Sequence, residues 1–540
     1  MIQCRRLAVL IVLCLVERAL SADPVAMPLR GEIRDADTGE LLPARLYIQS
    51  ADGAKWFFAK SADAKGSAIV YDKARDAKSI EKHTTLSAHP FVAELPPGKY
   101  TLTVERGKEY LTATKEVEVG TQPLDVKIKL HRWINMSKLG WNSGDTHVHR
   151  PISELKNVAL AEDLNVVYPM SQWVTVTHTL PEKGRVDPQP IPTAPIFADP
   201  THAIVPFNTE YEIFSVGTKR HTLGAVLILG QKEPLKIGIP PLKAVAEEAH
   251  RQGALLDLEK HSWAWTPIIA PVMKADLYPL SNNHLWRTEF AFKQWTIENN
   301  WRDNPRIETD KDGFTELGWL HFGWEQYYAM LNCGLRMRPT AGTANGVHPV
   351  PAGFSRVYVH TDDDQEHSSR NRLAPDVWQR RLNEGRSFVT TGPMLTFYAS
   401  ERAGVLTLSG TVYSSRLIHR LEIVRDGEVI ETSESVTAPY LGVGSITEFT
   451  NVIAKGAESS WVALRCFETL PNGRIRFAHS APVFLDVPGK PIRPRRDQVR
   501  YLVQRCEEEI ARNKDVLSDA ELAEYREALE FYRGKLETAR

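Results

Sequence analysis

Cysteine is nearly absent: there are five in 540 residues, and two of them, Cys4 and Cys14, fall within the first 22 positions. Cys333, Cys466 and Cys506 stand far apart with no short pairing, which argues against both a disulfide framework and a thiolate zinc site. An excess of one charge is missing too, since 66 Lys and Arg face 67 Asp and Glu for a formal net charge of -1. That balance offers nothing to a polyanion, so no nucleic-acid partner is expected. Long apolar runs are lacking beyond Leu7 to Val16, which is too short to cross a bilayer core of about 30 Å. With Arg5 and Arg6 before it and Ala19-Leu20-Ser21-Ala22 after it, the run has the layout of a secretory signal peptide over 1–22. The mature chain is therefore expected to be exported, periplasmic or extracellular, with no membrane span. Glu17 and Arg18 leave the cleavage point open, and an uncleaved anchor with it. There is no internal repeat and no low-complexity tract.

The length suggests roughly three or four domains. Over 27–130 short alternating segments are separated by Gly and Pro turns: Arg30 to Arg34, Ala44 to Gln49, Lys99 to Val104 and Val117 to Leu130. Such patterning predicts a β-sandwich, with the Ala-, Lys- and Asp-rich stretch Ser50 to His89 as an extended insertion. Through Asp37-Thr38-Gly39 and Leu95 to Tyr100, the segment resembles transthyretin-like or carboxypeptidase-regulatory-like accessory domains. Over 131–392 strand-like and helical patterns alternate, with helices read at Leu242 to Gln252, Glu325 to Asn332 and Pro375 to Asn383 and strands at Val226 to Leu229, Ala254 to His261 and Ser355 to Val359. Alternation over this length predicts a parallel, barrel-like α/β domain with its site at the carboxyl ends of the strands. Strand patterns resume over 393–488 as a second β-sandwich, Pro488 to Pro494 reads as a linker, and 495–540 reads as a helical hairpin with Ser518 as an N-cap. The expected fold is thus multidomain, an α/β barrel flanked by two β-sandwiches with a C-terminal helical hairpin.

The segment Gly144 to Arg150 places His147 and His149 two apart at the end of a strand-like run. Side chains at i and i+2 of a strand point to one side, so the two imidazoles can grip one ion. In a loop the same pair would be ordinary polar residues, so the weight falls on candidate ligands later in the chain. Glu210 and Glu212 are also two apart, His221 precedes an apolar run, and His261 ends a strand pattern carrying Asp257 and Glu259 on one face. Imidazoles and carboxylates together suit Zn, Mn or Fe, as one or two divalent ions, because a carboxylate can bridge a pair.

In chain order, led by Trp141 to His149, this set resembles the CehA/McbA-type metallohydrolases of the PHP (polymerase and histidinol phosphatase) superfamily. The resemblance covers about 131–392. It implies that His147 and His149 are the first metal-binding pair, Glu210 or Glu212 the bridging carboxylate, and His221 and His261 the next two histidines, with Asn283 near an asparagine-bearing strand end. Two departures stand out. Met170-Ser171-Gln172-Trp173 replaces a motif with an acid and an imidazole, and Gly342 to His348 offers Asn345 in place of an aspartate. A third metal position is lost unless His178, Glu154 and His348 rebuild it. The implied activity is hydrolysis of a phosphoester, ester or amide by metal-activated water on a small-molecule or glycan-like substrate. His348, His284, Arg150 and Arg287 are candidates for proton transfer or substrate contact. Amidohydrolases also open with His-x-His, but they need an isolated bridging lysine, whereas Lys260 adjoins His261. The alternative from another class is a catalytically weakened binding protein for a glycan or cell-surface partner, favoured by Ser171 and Asn345. The oligomeric state is left open.

Overall fold

The computed structural model describes residues 25–187, 190–281, 283–290, 304–361, 373–402, 404–433, 438–440, 444–454 and 456–540. The segment 1–22, expected to be a signal peptide, lies outside them. In the N-terminal part, two sheets close on one apolar core that includes Leu29, Leu46, Phe91, Leu102 and Ile128. One sheet holds the strands Leu124–Leu130, Met27–Asp35, Phe91–Leu95 and Lys60–Ser61, and the other runs Ala68–Ala74, Ile80–Leu86, Ala44–Ser50, Gly98–Glu105, Ala113–Val119. The stretch from Ser50 to His89, expected to be an extended insertion, therefore contributes strands to both sheets. Its polarity hides this, because Glu81 and His83 are buried (0% and 3% exposed) as partners of one another and of Tyr47 rather than exposed.

The α/β barrel is overturned by the sheet topology. One eleven-stranded mixed sheet runs from Ile196–Asp199 through His202–Ile204, Val166–Pro169, Trp141–Val148 and Arg356–His360. It continues without a break into Ser387–Thr390, Ile475–Ser480, Ser460–Thr469, Ile418–Arg425 and Glu428–Ser433, with the eleventh strand, Val483–Leu485, paired to Ser460–Thr469 off this path. A second, six-stranded sheet has the order Gln172–Val176, Thr209–Val216, Lys219–Leu229, Leu255–Asp257, Leu277–Ser281, Arg338–Ala341. Both are open paths and both are mixed. Thr209–Val216 and Lys219–Leu229 are antiparallel, as are Lys219–Leu229 and Leu255–Asp257. The cause is local: Gly217, at φ 56°, turns the chain within a two-residue connection, and so short a loop can only join antiparallel neighbours. Apolar periodicity reports burial but not strand direction, so a hairpin and a crossover look alike at the level of pattern.

A further four-stranded sheet holds Met394–Arg402, Val405–Ser414, Gly444–Ala454 and Ala438–Tyr440. The terminal helices Arg496–Asn513 and Asp519–Leu536 lie against one another and against helices Thr266–Val272 and Glu316–Asn332. Ser518 caps the last helix reciprocally with Glu521, satisfying two backbone donors at its start. Leu502, Cys506, Tyr525 and Tyr532 join the same large core as Trp265, Tyr278 and Trp324. The hairpin thus completes the central core. Cys333, Cys466 and Cys506 are free and buried. Among the described residues no helix is long and apolar enough to cross a membrane.

Candidate metal centre

His147 is the penultimate residue of the strand Trp141–Val148, and His149 follows its end. The neighbouring strand end Arg338–Ala341 and its loop clamp the pair. Thr146 Oγ1 reaches the Ala341 carbonyl, the His147 carbonyl accepts from Ala344 N at 2.7 Å, and His149 N donates to the Asn345 carbonyl at 2.7 Å. A side chain at Gly342 would meet His147 Cβ at 2.3 Å, so only glycine lets the loop come so near. Asp145 braces the arrangement. Its carboxylate accepts from Thr343 Oγ1 at 2.6 Å, Gly353 N at 2.8 Å and His147 N at 3.1 Å.

Three donors converge there. His147 Nε2 and His149 Nε2 lie 2.9 Å apart, and Glu210 Oε2 is 3.0 Å from His149 Nε2 and 3.4 Å from His147 Nε2. Bonds of about 2.0–2.1 Å at tetrahedral angles set donor atoms roughly 3.3 Å apart, so a small inward or outward adjustment accommodates an ion. The donor chemistry fits as well. Glu259 Oε1 lies 3.0 Å from His147 Nδ1 with both side chains at 0% exposure, and a carboxylate on that side favours a ring that carries its proton on Nδ1 and offers Nε2 to an ion when one binds. Burial disfavours a charged His147, yet Glu259 and Glu210 overcome it and raise the imidazole to about 10. Burial holds His149 below its ordinary value. Burial opposes the Glu210 charge, but His147 and His149 outweigh it and carry the carboxyl well below the usual range. The cluster is built to be complemented by positive charge.

The other anticipated residues divide. Glu212 turns away from the histidines: its Oε2 accepts from Trp173 Nε1 at 3.0 Å, its Oε1 is 3.6 Å from Lys260 Nζ, and burial pushes it up to about 7. Lys260 Nζ is also 4.0 Å from Glu210 Oε1, placing a buried ammonium beside the carboxylate expected to bridge two ions. His221 does not join the centre. Its Nε2 lies 2.8 Å from Asn513 Oδ1 in the terminal hairpin. The reason is the reversed strand: Glu210 pairs with Leu227 while Ser215 pairs with Arg220, so His221 lies six residues along its own strand from Leu227, the position level with Glu210, well beyond the reach of one ion. His261 is buried but outside the convergent set, packed on Tyr278, Trp319 and Phe322. Asn345 spends its side-chain amide on the Val350 carbonyl at 2.6 Å.

Near the centre, Asn283 Nδ2 lies 3.1 Å from His348 Nε2, and burial pushes both His348 and His284 down. His284 stands edge-on to Trp319. Arg150 pairs with Glu154 at 2.7 Å and lies over Tyr71, whose hydroxyl bonds the Gly346–His348 backbone. Arg287 pairs with Glu81 of the N-terminal sheets at 2.8 Å. His178 contacts Glu521 in the hairpin, so His178, Glu154 and His348 are held by three different neighbours and rebuild no third position. Ser171 is spent on the Asn208 carbonyl at 3.0 Å, and Trp173 packs its ring 4.9 Å from His149. Sequence reasoning missed the parts played by Asp145, Glu259 and Lys260. Glu259 left a signal in its alternation with Asp257, but the partner could not be read.

No family profile matches the chain, and no curated protein matches it. Among solved structures, it is similar to the C-terminal domain of the shaft pilin SpaA from Lactobacillus rhamnosus GG. That match has 17% identity and a TM-score of 0.13, covering 20% of this chain and 98% of the pilin domain.

Proposed function

We propose that this chain is an exported, metal-dependent hydrolase acting on a phosphoester, ester or amide. The observation that carries the reading is the convergence of His147 Nε2, His149 Nε2 and Glu210 Oε2 within 4.8 Å of one another, with a buried carboxylate behind His147. The order of these residues behind Trp141 to His149 supports a relationship to the CehA/McbA-type enzymes. The three donors would hold a Zn, Mn or Fe ion, which would supply Lewis acidity and lower the pKa of a water to about 7. The chain's own groups do the positioning. Glu259 fixes the His147 tautomer, Asp145 and the Gly342–His348 loop fix the strand end, and Lys260 places a second positive charge near Glu210. His348, held below its ordinary value by burial and bonded to Asn283, is a candidate for contact with a substrate.

A second reading has its own observation. Ser171 and Asn345 are committed to backbone carbonyls, so three protein donors stand where a richer set would favour catalysis, and a binding protein for a glycan or cell-surface partner fits that economy. Purified full-length chain with Zn or Mn restored, assayed on aryl phosphoesters and aryl carboxyl esters, separates the two. Hydrolysis that disappears in His147→Ala supports the enzyme. A metal-loaded protein that hydrolyses neither class supports the binder.

A further inference from the structure

Away from the metal centre, a cavity of about 210 Å³ lies where the N-terminal sheets, the central region and the last strands of the long sheet meet. Six cations line it: Arg45, Lys108, Arg287, Arg356, Arg416 and Arg476. Three carboxylates, Glu105, Glu162 and Glu468, oppose them. The pairing is uneven. Arg45 takes both Glu162 and Glu105, and Arg287 is held by Glu81 from outside the wall. Glu468 is bonded by the Ser414 hydroxyl, and burial raises its carboxyl against the opposing pull of Lys108, Arg416 and Arg476.

That leaves a core of cations satisfied by dipoles alone or nearly so. Arg356, 1% exposed, directs its guanidinium to the carbonyls of Gly353 at 2.7 Å, Glu162 at 3.1 Å and Asp163 at 3.2 Å. Lys108 Nζ donates to the Thr391 carbonyl at 2.8 Å and lies 4.3 Å from the centre of the Phe354 ring. Arg476 approaches the same ring at 4.9 Å, bonds the Ile475 carbonyl at 2.9 Å and reaches the Glu316 carboxylate only at 3.8 Å. Among the described residues neither Lys108 nor Arg356 makes an ion pair with a carboxylate within 4.0 Å. Carbonyls and a ring face soften buried positive charge but do not neutralise it. Burial, reinforced by Arg476 and Arg356, drives the Lys108 ammonium well below its ordinary value, and burial with Arg474 lowers Arg476 to about 10. Arg416 is exposed at the mouth, leaving a way in.

We propose that this cavity is a binding site for a small multivalent oxyanion, a phosphate or a compact di- or tricarboxylate, which supplies the missing negative charge between Lys108, Arg356 and Arg476. Its volume falls below the roughly 300–1,000 Å³ of drug-sized pockets, which excludes nucleotides and oligosaccharides. Fixed guanidinium forks favour planar or tetrahedral oxyanions over halide. Because N-terminal, central and C-terminal segments all contribute to the wall, occupancy also ties these parts together.

The test is calorimetric titration of the full-length protein with inorganic phosphate and, separately, with citrate. Saturable binding of one equivalent of either anion is expected, and which one binds identifies the source of the charge. Lys108→Met keeps the side chain's length and removes its charge, and it is expected to weaken binding on the order of tenfold or more while the unliganded protein melts no lower than wild type. Should that variant fail to fold, Arg416→Ala at the exposed mouth is expected to weaken binding severalfold. His147→Ala keeps the affinity within roughly threefold, since distant sites act independently. The proposal is overturned if neither anion binds the wild type, if Lys108→Met or Arg416→Ala folds and binds unchanged, or if binding is lost with His147→Ala alone.

Discussion

Replacing Glu259 by glutamine exchanges one buried carboxylate oxygen for an amide nitrogen, 3.0 Å from His147 Nδ1 and with neither side chain exposed to water. The amide oxygen can still accept the Nδ1 proton, so the ring keeps its tautomer and direction. What is lost is the negative charge that makes Nε2 a better electron donor to an ion. Removing an outer partner of a metal-bound histidine costs about 10–100-fold in affinity, or ~1.4–2.7 kcal/mol. The assay is competition for Zn against a chelator of known affinity, with circular dichroism melting of the metal-free protein as a control for folding. Glu259→Gln is expected to raise the dissociation constant within that range while the fold survives. Glu259→Ala, which strands the Nδ1–H in a dry site, is expected to cost more and to lower the melting temperature as well. A folded Glu259→Gln protein with wild-type affinity would refute the reasoning, because the negative charge behind His147 would then add nothing to the hold on the ion.

Two further expectations concern the frame around the centre. His202 lies 2.9 Å from Asp199 and 3.7 Å from Asp163. Burial opposes its charge, but the two carboxylates win and raise its pKa above the ordinary value. A raised folded-state pKa gives stability that is fully present below the unfolded value and is lost as the pH climbs through the folded one. His202→Gln should therefore cost more stability at about pH 5.5 than at about pH 9 in urea unfolding, and an equal cost at both would count against the ion pair. Gly144, just before the motif, has no room for a methyl group: a Cβ there would meet Trp378 Cζ2 at 2.5 Å and the Val166 carbonyl at 3.2 Å. Gly144→Ala is expected to destabilise by about 1–3 kcal/mol, and a neutral result would mean that the Trp378 ring yields freely.

The His-x-His pair and Glu210 were legible because their signal is short-range. Residues two apart in an extended run share a face, and Glu210 and Glu212 sit together in a segment whose alternation is plain, although the pattern left open which of the two faces the histidines. His221 misled for the opposite reason. Its place follows from a hairpin at Gly217 that sends the strand backward, so that the residue at the strand's start ends up beside Asn513. The same ambiguity of direction produced the barrel expectation, since a mixed sheet and a parallel one bury the same apolar runs. Asn345 shows a third limit. Its part in the centre is played by a backbone carbonyl that receives His149 N, and main-chain geometry has no residue signature. The strands between Ser50 and His89 went unread because their buried positions are polar, and polarity is admitted there by Tyr47 and Arg287, which come from elsewhere in the chain.

Metal content of the purified full-length protein tests the central claim most directly. After equilibration with Zn or Mn and removal of excess, wild type is expected to retain at least one tightly held ion per chain, and His147→Ala and Glu210→Gln are each expected to retain none while remaining folded. Wild-type protein that holds no transition metal, or a folded His147→Ala protein that holds as much as wild type, would contradict it.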